Sequence, residues 1–134
     1  MWLLKTEPSE FSYADLARAG KSVWDGVTNP VALKNLRAMK AGDRVFVYHT
    51  GNEKAAVGIA EVVRGAYPDP KKGSGTKLVV VDLEPVSALA RPVTLAEMKG
   101  LAVFAESPLV RQGRLSVVPL TAAQWKAIEG RSRE

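Results

Sequence analysis

Arg44-Val45-Phe46-Val47-Tyr48-His49-Thr50-Gly51-Asn52-Glu53-Lys54-Ala55-Ala56-Val57-Gly58-Ile59-Ala60-Glu61-Val62-Val63-Arg64 is the stretch on which the fold turns. β-branched and aromatic side chains dominate its first half and valine, isoleucine and alanine its second, and the β-branched and aromatic ones suit a pleated surface. Gly51-Asn52-Glu53-Lys54 separates the halves, so residues 44–50 and 55–64 read as two strands joined by a hairpin turn. Alternation puts Val45, Val47 and His49 on one face and Phe46, Tyr48 and Thr50 on the other. Gly58 brings no side chain to the second strand, which marks a bulge or a close approach by another group.

Working outward, valine-rich residues 77–84 predict a third strand, 115–118 a fourth and 2–4 a fifth. Three helix starts are marked by Ser12, Thr94 and Thr121, each followed three residues on by Asp15, Glu97 or Gln124, the spacing of a capping box. Gly20, Gly100 and Gly130 are the matching stops. Asn29-Pro30 starts a fourth helix, with Leu33, Leu36 and Met39 as its apolar stripe and Gly42 as its end. Residues 67–76 hold Pro, Gly, Ser and Lys and predict a mobile loop. Strands without regular helical crossovers, with short helices between them, predict an α+β fold: a small mixed barrel of five to six strands in a single domain, 1–134.

Composition narrows the chemistry. The 134 residues are 46% hydrophobic and 25% charged, as in an ordinary globular domain. Cysteine is absent, which excludes disulfides, thiol nucleophiles and cysteine-held metals. A single histidine, His49, excludes a two-histidine zinc motif, and neither a metal nor another cofactor is expected. The net charge is +5, most of it in residues 71–134, and such an excess favours polyanionic partners. No apolar run has the length of a signal peptide or a membrane span, so the expected compartment is the cytoplasm and no membrane partner is expected. Protein partners cannot be read from the sequence.

No G-x-S-x-G, G-x-G-x-x-G or P-loop pattern is present. Asp82 and Glu84 share a strand face, as solvated carboxylates commonly do. Binding residues are better marked. Lys5-Thr6 and Tyr48-His49-Thr50 place polar side chains at strand ends, where they can line a pocket mouth. Trp24-Asp25-Gly26 precedes the Asn29 helix cap, and Trp24 reads either as core or as a stacking surface. Lys34, Arg37 and Lys40 form a helical stripe, either a solvated face or a set of phosphate contacts. Arg111, Arg114 and Ser116 precede the last strand and are candidate phosphate ligands. The pattern fits a nucleotide within a nucleic acid. The rival readings are a small enzyme acting on a nucleotide-like substrate with His49 as base, and an adaptor without a working pocket.

The motifs Trp2-Leu3-Leu4-Lys5-Thr6-Glu7-Pro8, Trp24-Asp25-Gly26-Val27 with Asn29, Tyr48-His49-Thr50, Ala66-Tyr67-Pro68-Asp69-Pro70 and Arg111-Gln112-Gly113-Arg114-Leu115-Ser116-Val117 resemble the EVE domain family, in family order. The resemblance implies a PUA-like pseudo-barrel, similar to YTH and ASCH domains. It implies a non-catalytic reader of a modified base in DNA or RNA, held in an aromatic-walled pocket. Trp24 takes the place of one wall and Tyr67 is the candidate for the second, with Lys5, Thr6, Asp25, Asn29, Tyr48, His49 and Thr50 around them. The chain departs from many relatives at Thr28, where they carry Arg, at Pro30, and in a shorter loop after Tyr67.

Overall fold

A computed structural model describes every residue from Met1 to Glu134. Six strands, β1 (Trp2–Thr6), β2 (Ser22–Trp24), β3 (Arg44–His49), β4 (Ala55–Pro68), β5 (Val79–Thr94) and β6 (Val117–Pro119), form one sheet in the order β2-β5-β4-β3-β1-β6. Only β1 and β3 run parallel; every other pairing is antiparallel. The sheet curls into a half-barrel with five short helices around it: α1 (Tyr13–Ala19), α2 (Pro30–Ala38), α3 (Leu95–Lys99), α4 (Pro108–Arg111) and α5 (Ala122–Ser132). This is the expected α+β, PUA-like architecture.

Why β3 is the spine follows from its residues. Val45 through His49 are all buried, on both faces, so the simple split into an inner and an outer face does not describe it. One reason is α5, whose Trp125 ring stacks on Phe46 at 3.8 Å between centroids. Removing a buried aromatic of this kind costs about 3–5 kcal/mol. Gly58 is a close approach: a Cβ there would stand 2.4 Å from the Tyr13 ring, and the β4–β5 register shifts between Ala56 and Gly58. α2 packs against β6, β4 and β5, and the Asn35 carboxamide donates to the Val117 carbonyl at 2.8 Å. That contact gives a backbone acceptor of the edge strand a partner, as a covered edge requires.

Each of the three capping boxes forms, and Asn29 caps α2 through the Val31 and Ala32 N–H groups. Several boundaries differ from expectation. α2 ends at Ala38 rather than near Gly42, because Met39 turns extended and Asp43 takes the Lys40 N–H. α5 runs through Gly130 to Ser132, held by buried Ile128 and by Arg131 beside Glu97. β5 is twice the length read from residues 77–84. It continues through Pro85 because β4 supplies a partner on one side, while β2 covers only Val81 to Leu83 on the other. A proline is tolerated where the edge donates nothing. β2 and α4 were not foreseen; each is only three or four residues long.

Candidate nucleic-acid interface

A cavity of about 680 Å³ opens where β1 and β2 end. β1 delivers Lys5 and Thr6 to it, followed by Glu7; Glu10 and Phe11 come from the turn before α1. Opposite stand Ser22, Val23 and Trp24 of β2, then Asp25, Gly26 and Val27. Asp69, Pro70 and Lys71 close one side and Ser116 another.

Pairing with β5 fixes the aromatic wall. Trp24 lies opposite Val81, and its ring meets Phe11 edge-on at 6.1 Å and 78°. Trp24 is only 8% exposed, so it belongs to the core and to the cavity wall at once. Phe11 is held in turn by the Thr6 hydroxyl, which donates to its carbonyl at 2.6 Å. Just past Trp24, Gly26 has φ +78°, a conformation that L side chains rarely adopt. Lys5 donates from Nζ to the Gly113 carbonyl at 2.9 Å and lies 5.5 Å from the Tyr48 ring centre. Burial pushes its ammonium pKa down.

Carboxylates outnumber ammonium groups in the lining: Glu7, Glu10, Asp25 and Asp69 against Lys5 and Lys71. Glu7 is fixed by the Ser9 backbone N–H and hydroxyl, which hold its carboxyl below the usual range. Asp69 accepts the Lys71 N–H at 2.9 Å. Asp25 meets the Lys71 ammonium at 3.8 Å across the mouth, and Glu10 makes no ion pair. Such a lining repels a phosphate and suits a flat ligand with hydrogen-bond donors, such as ring N–H or exocyclic amine groups.

The other residues expected at a base pocket lie elsewhere. Tyr48 is buried in the core beside β1. His49 accepts the Tyr13 backbone N–H on Nε2 at 2.9 Å and pairs with Glu53 through Nδ1 at 3.0 Å, so both ring nitrogens are engaged. Thr50 donates to Glu7 and to the Thr6 carbonyl. The Tyr67 hydroxyl donates to buried Asp82, a bond that raises its own pKa, and its ring carries the Arg64 guanidinium at 3.6 Å. Asn29 is occupied as the α2 cap. Of the nine residues, the structure therefore gathers Lys5, Thr6, Trp24 and Asp25 in the cavity, and Ser116 joins them from the phosphate set.

Among the basic residues, Lys34, Lys40 and Arg114 are exposed and make no ion pair. Arg37 donates to the Lys77 carbonyl, and Arg111 pairs with Glu106 and the Ala105 carbonyl. Sequence reasoning missed the carboxylates Glu7, Glu10 and Asp69, and with them Phe11, Ser22, Val23 and Lys71. The one signal available for these is Phe11, an aromatic directly before the Ser12 helix cap.

The EVE domain family matches residues 1–131. The chain belongs to the EVE domain family. Among its relatives is human thymocyte nuclear protein 1, 31% identical over 157 aligned positions that span 92% of this chain and 70% of that one. In structure, this EVE domain is similar to a Pseudomonas syringae protein with TM-score 0.91 and 38% identity, each chain 98% covered. It is also similar to the human THYN1 protein in complex with 5-methylcytosine-containing DNA, with TM-score 0.89, 29% identity, and 99% and 97% of the chains covered. An ASCH protein of Zymomonas mobilis, 14% identical with TM-score 0.56, shares the fold.

Proposed function

We propose that this EVE domain, acting as one module over residues 1–134, reads a modified base in nucleic acid and performs no chemistry on it. The observation that carries the reading is the cavity beside Trp24, roomy enough to admit a flipped base, in a chain whose overall fold is close to that of a relative complexed with 5-methylcytosine DNA. The base leaves its stack and lies against the indole, with Phe11 steadying the ring edge-on. Asp25 and Glu10 accept from its amino or ring N–H edge, and Ser22 and Ser116 add hydroxyls. This assigns Lys5 and Thr6 to holding the walls, through Gly113 and Phe11.

Phosphates stay outside the acidic cavity, on Lys34, Lys40 and Arg114, with Arg37 and Arg111 at the margin. His49 supports the fold: with both nitrogens bonded, it has no free position from which to move a proton. No helix is long and apolar enough to cross a membrane. Cytoplasmic residence is part of the proposal and rests on the sequence.

The test is a titration of oligonucleotides that differ only in cytosine or 5-methylcytosine, in DNA and in RNA, each at two salt concentrations. The reading expects tighter binding of a methylated probe and affinity that falls steeply with salt. Equal affinity for every methylated and unmodified pair overturns it, and so does product formation detected by mass.

A further inference from the structure

A second recess, of about 300 Å³, adjoins the first across a thin ridge of chain. Its lining is Asn29, Val31, Gln112, Gly113, Arg114 and Leu115. The ridge is shared: Leu115 lines this recess and its neighbour Ser116 lines the cavity, while Val27 and Asn29 divide in the same way two residues apart. Lys5 ties the two together, reaching from the cavity to the Gly113 carbonyl of the recess. Neighbouring residues of two chain segments thus face the two recesses. Successive nucleotides of a strand splayed open at a flipped base can straddle such a ridge.

The contents of the recess fit that role. Arg114 makes no ion pair, and the Gln112 side chain, also exposed, makes no hydrogen bond to the protein. Val31 is 50% exposed, a large apolar side chain left open at the rim. The first cavity has the same feature in Val23, 45% exposed. The helix terminus beside the recess does not make the site, since Asn29 already takes the first free N–H groups of α2. What the recess offers is a guanidinium, a carboxamide and an apolar surface together. That set matches a phosphate, a base edge and the face of a sugar or base.

We propose that this recess is a subsite for the nucleotide next to the flipped base, so that the domain reads a base together with one neighbour. Gln112 hydrogen-bonds the edge of the neighbouring base, Val31 packs on it, and Arg114 holds the phosphate between the two. The inference rests on the reading of the first cavity as the base pocket.

The experiment uses the full chain and single-stranded DNA 9-mers with one central 5-methylcytosine or cytosine. The nucleotide on its 5′ or 3′ side is varied through all four bases, and affinity is read by fluorescence anisotropy. Wild type is expected to prefer methylated probes and to spread over several-fold with neighbour identity on one side. Gln112→Ala, at an exposed side chain without partners, is expected to keep the methyl preference and lose the spread. Arg114→Ala is expected to weaken all probes alike and to lower the salt slope by about 1. A methyl preference without any neighbour effect, or a spread that survives Gln112→Ala and Val31→Asp, overturns the second subsite alone. Equal binding of methylated and unmethylated probes overturns the reading of the first cavity and the subsite with it.

Discussion

β1 and β3 end side by side, with Lys5 opposite Tyr48 and Thr6 opposite His49, and both ends are polar. Lys5, Thr6 and Glu7 line the cavity, whereas Tyr48, His49 and Thr50 do not. The difference lies in their neighbours. β3 is flanked by β1 and β4, and the start of α1 sits on His49 through the Tyr13 N–H. β1 has β6 on its other side, but β6 is three residues long and the pairing ends where the Lys5 N–H donates to the Ser116 carbonyl at 2.9 Å. Beyond Lys5 no β6 residue flanks β1, and Thr6 and Glu7 line the cavity. Polar groups at both ends find partners within the protein, Lys5 and Thr6 at Gly113 and Phe11, and His49 at Tyr13 and Glu53; the β1 end lines a cavity as well because β6 stops beside it, whereas β3 is covered on both sides.

The strongest way to break this contrast is Trp24→Ala, because that residue belongs to both sides of it. Loss of a buried aromatic is expected to cost about 3–5 kcal/mol of stability, read from urea denaturation midpoints. Trp24→Phe keeps an aromatic in the core and separates the roles: the fold persists and base binding falls several-fold. An alanine variant as stable as wild type would remove Trp24 from the core.

At the committed end, His49→Ala leaves the Tyr13 N–H buried without its acceptor. The expected loss is about 1–3 kcal/mol of stability. Affinity of the folded protein for an oligonucleotide is expected to stay within twofold. A variant that folds as well as wild type yet fails to bind would move His49 to the other side of the comparison.

Glu97 extends the comparison to a third polar cluster, also internally satisfied. Two hydrogen bonds from Arg91, with further ones from the Thr94 N–H and hydroxyl, lower its carboxyl from 4.5 to about 2. A carboxyl depressed in the folded state adds stability above its unfolded pKa, and the gain is lost as pH falls through the folded value. The melting temperature is therefore expected to drop between pH 4.5 and pH 2, and Glu97→Gln to flatten part of that drop. An unchanged profile in the variant would detach Glu97 from the acid response.

The smallest stability effect belongs to the cavity mouth. Lys71 and Asp25 are both exposed, and a pair of that kind contributes about 0–1 kcal/mol. Asp25→Asn is expected to melt near wild type while weakening binding of a base that donates from its amino edge. An affinity unchanged by Asp25→Asn in the same titration would take the carboxylate out of recognition.

Much of the fold was legible because its signals are local. Ser12, Thr94 and Thr121 announce their helices within four residues, and the 44–64 hairpin follows from alternation and a turn. The length of β5 was not legible, since only β4 alongside it makes residues 85–94 a strand. β2 was hidden for the same reason: Ser22-Val23-Trp24 is three residues whose pairing with β5 no local pattern reveals. The site was legible only in part. Trp24, Asp25, Lys5 and Thr6 stood out as polar or aromatic groups at element ends. Whether such a group faces a cavity depends on what ends beside it. His49 and Tyr67 look just as available in sequence, yet one is engaged by Tyr13 and Glu53 and the other by Asp82.

The place of β1 sets the order in which the molecule can form. Leu3 pairs with Phe46 on one side and with Val118 on the other, so the second strand of contacts must close a loop spanning most of the sequence. Loops of that length close late, and topologies rich in them fold slowly. The hairpin of β3 and β4, joined by a short turn, can assemble early and wait. On a ribosome, β1 emerges well before β6 and acquires its second partner only when β6 has been made. Until then one edge of β1 stays open, with the apolar Leu3 and Leu4 exposed to water or to other chains. The cavity is built on that same edge, at Lys5 and Ser116, so it is among the last parts of the molecule to exist.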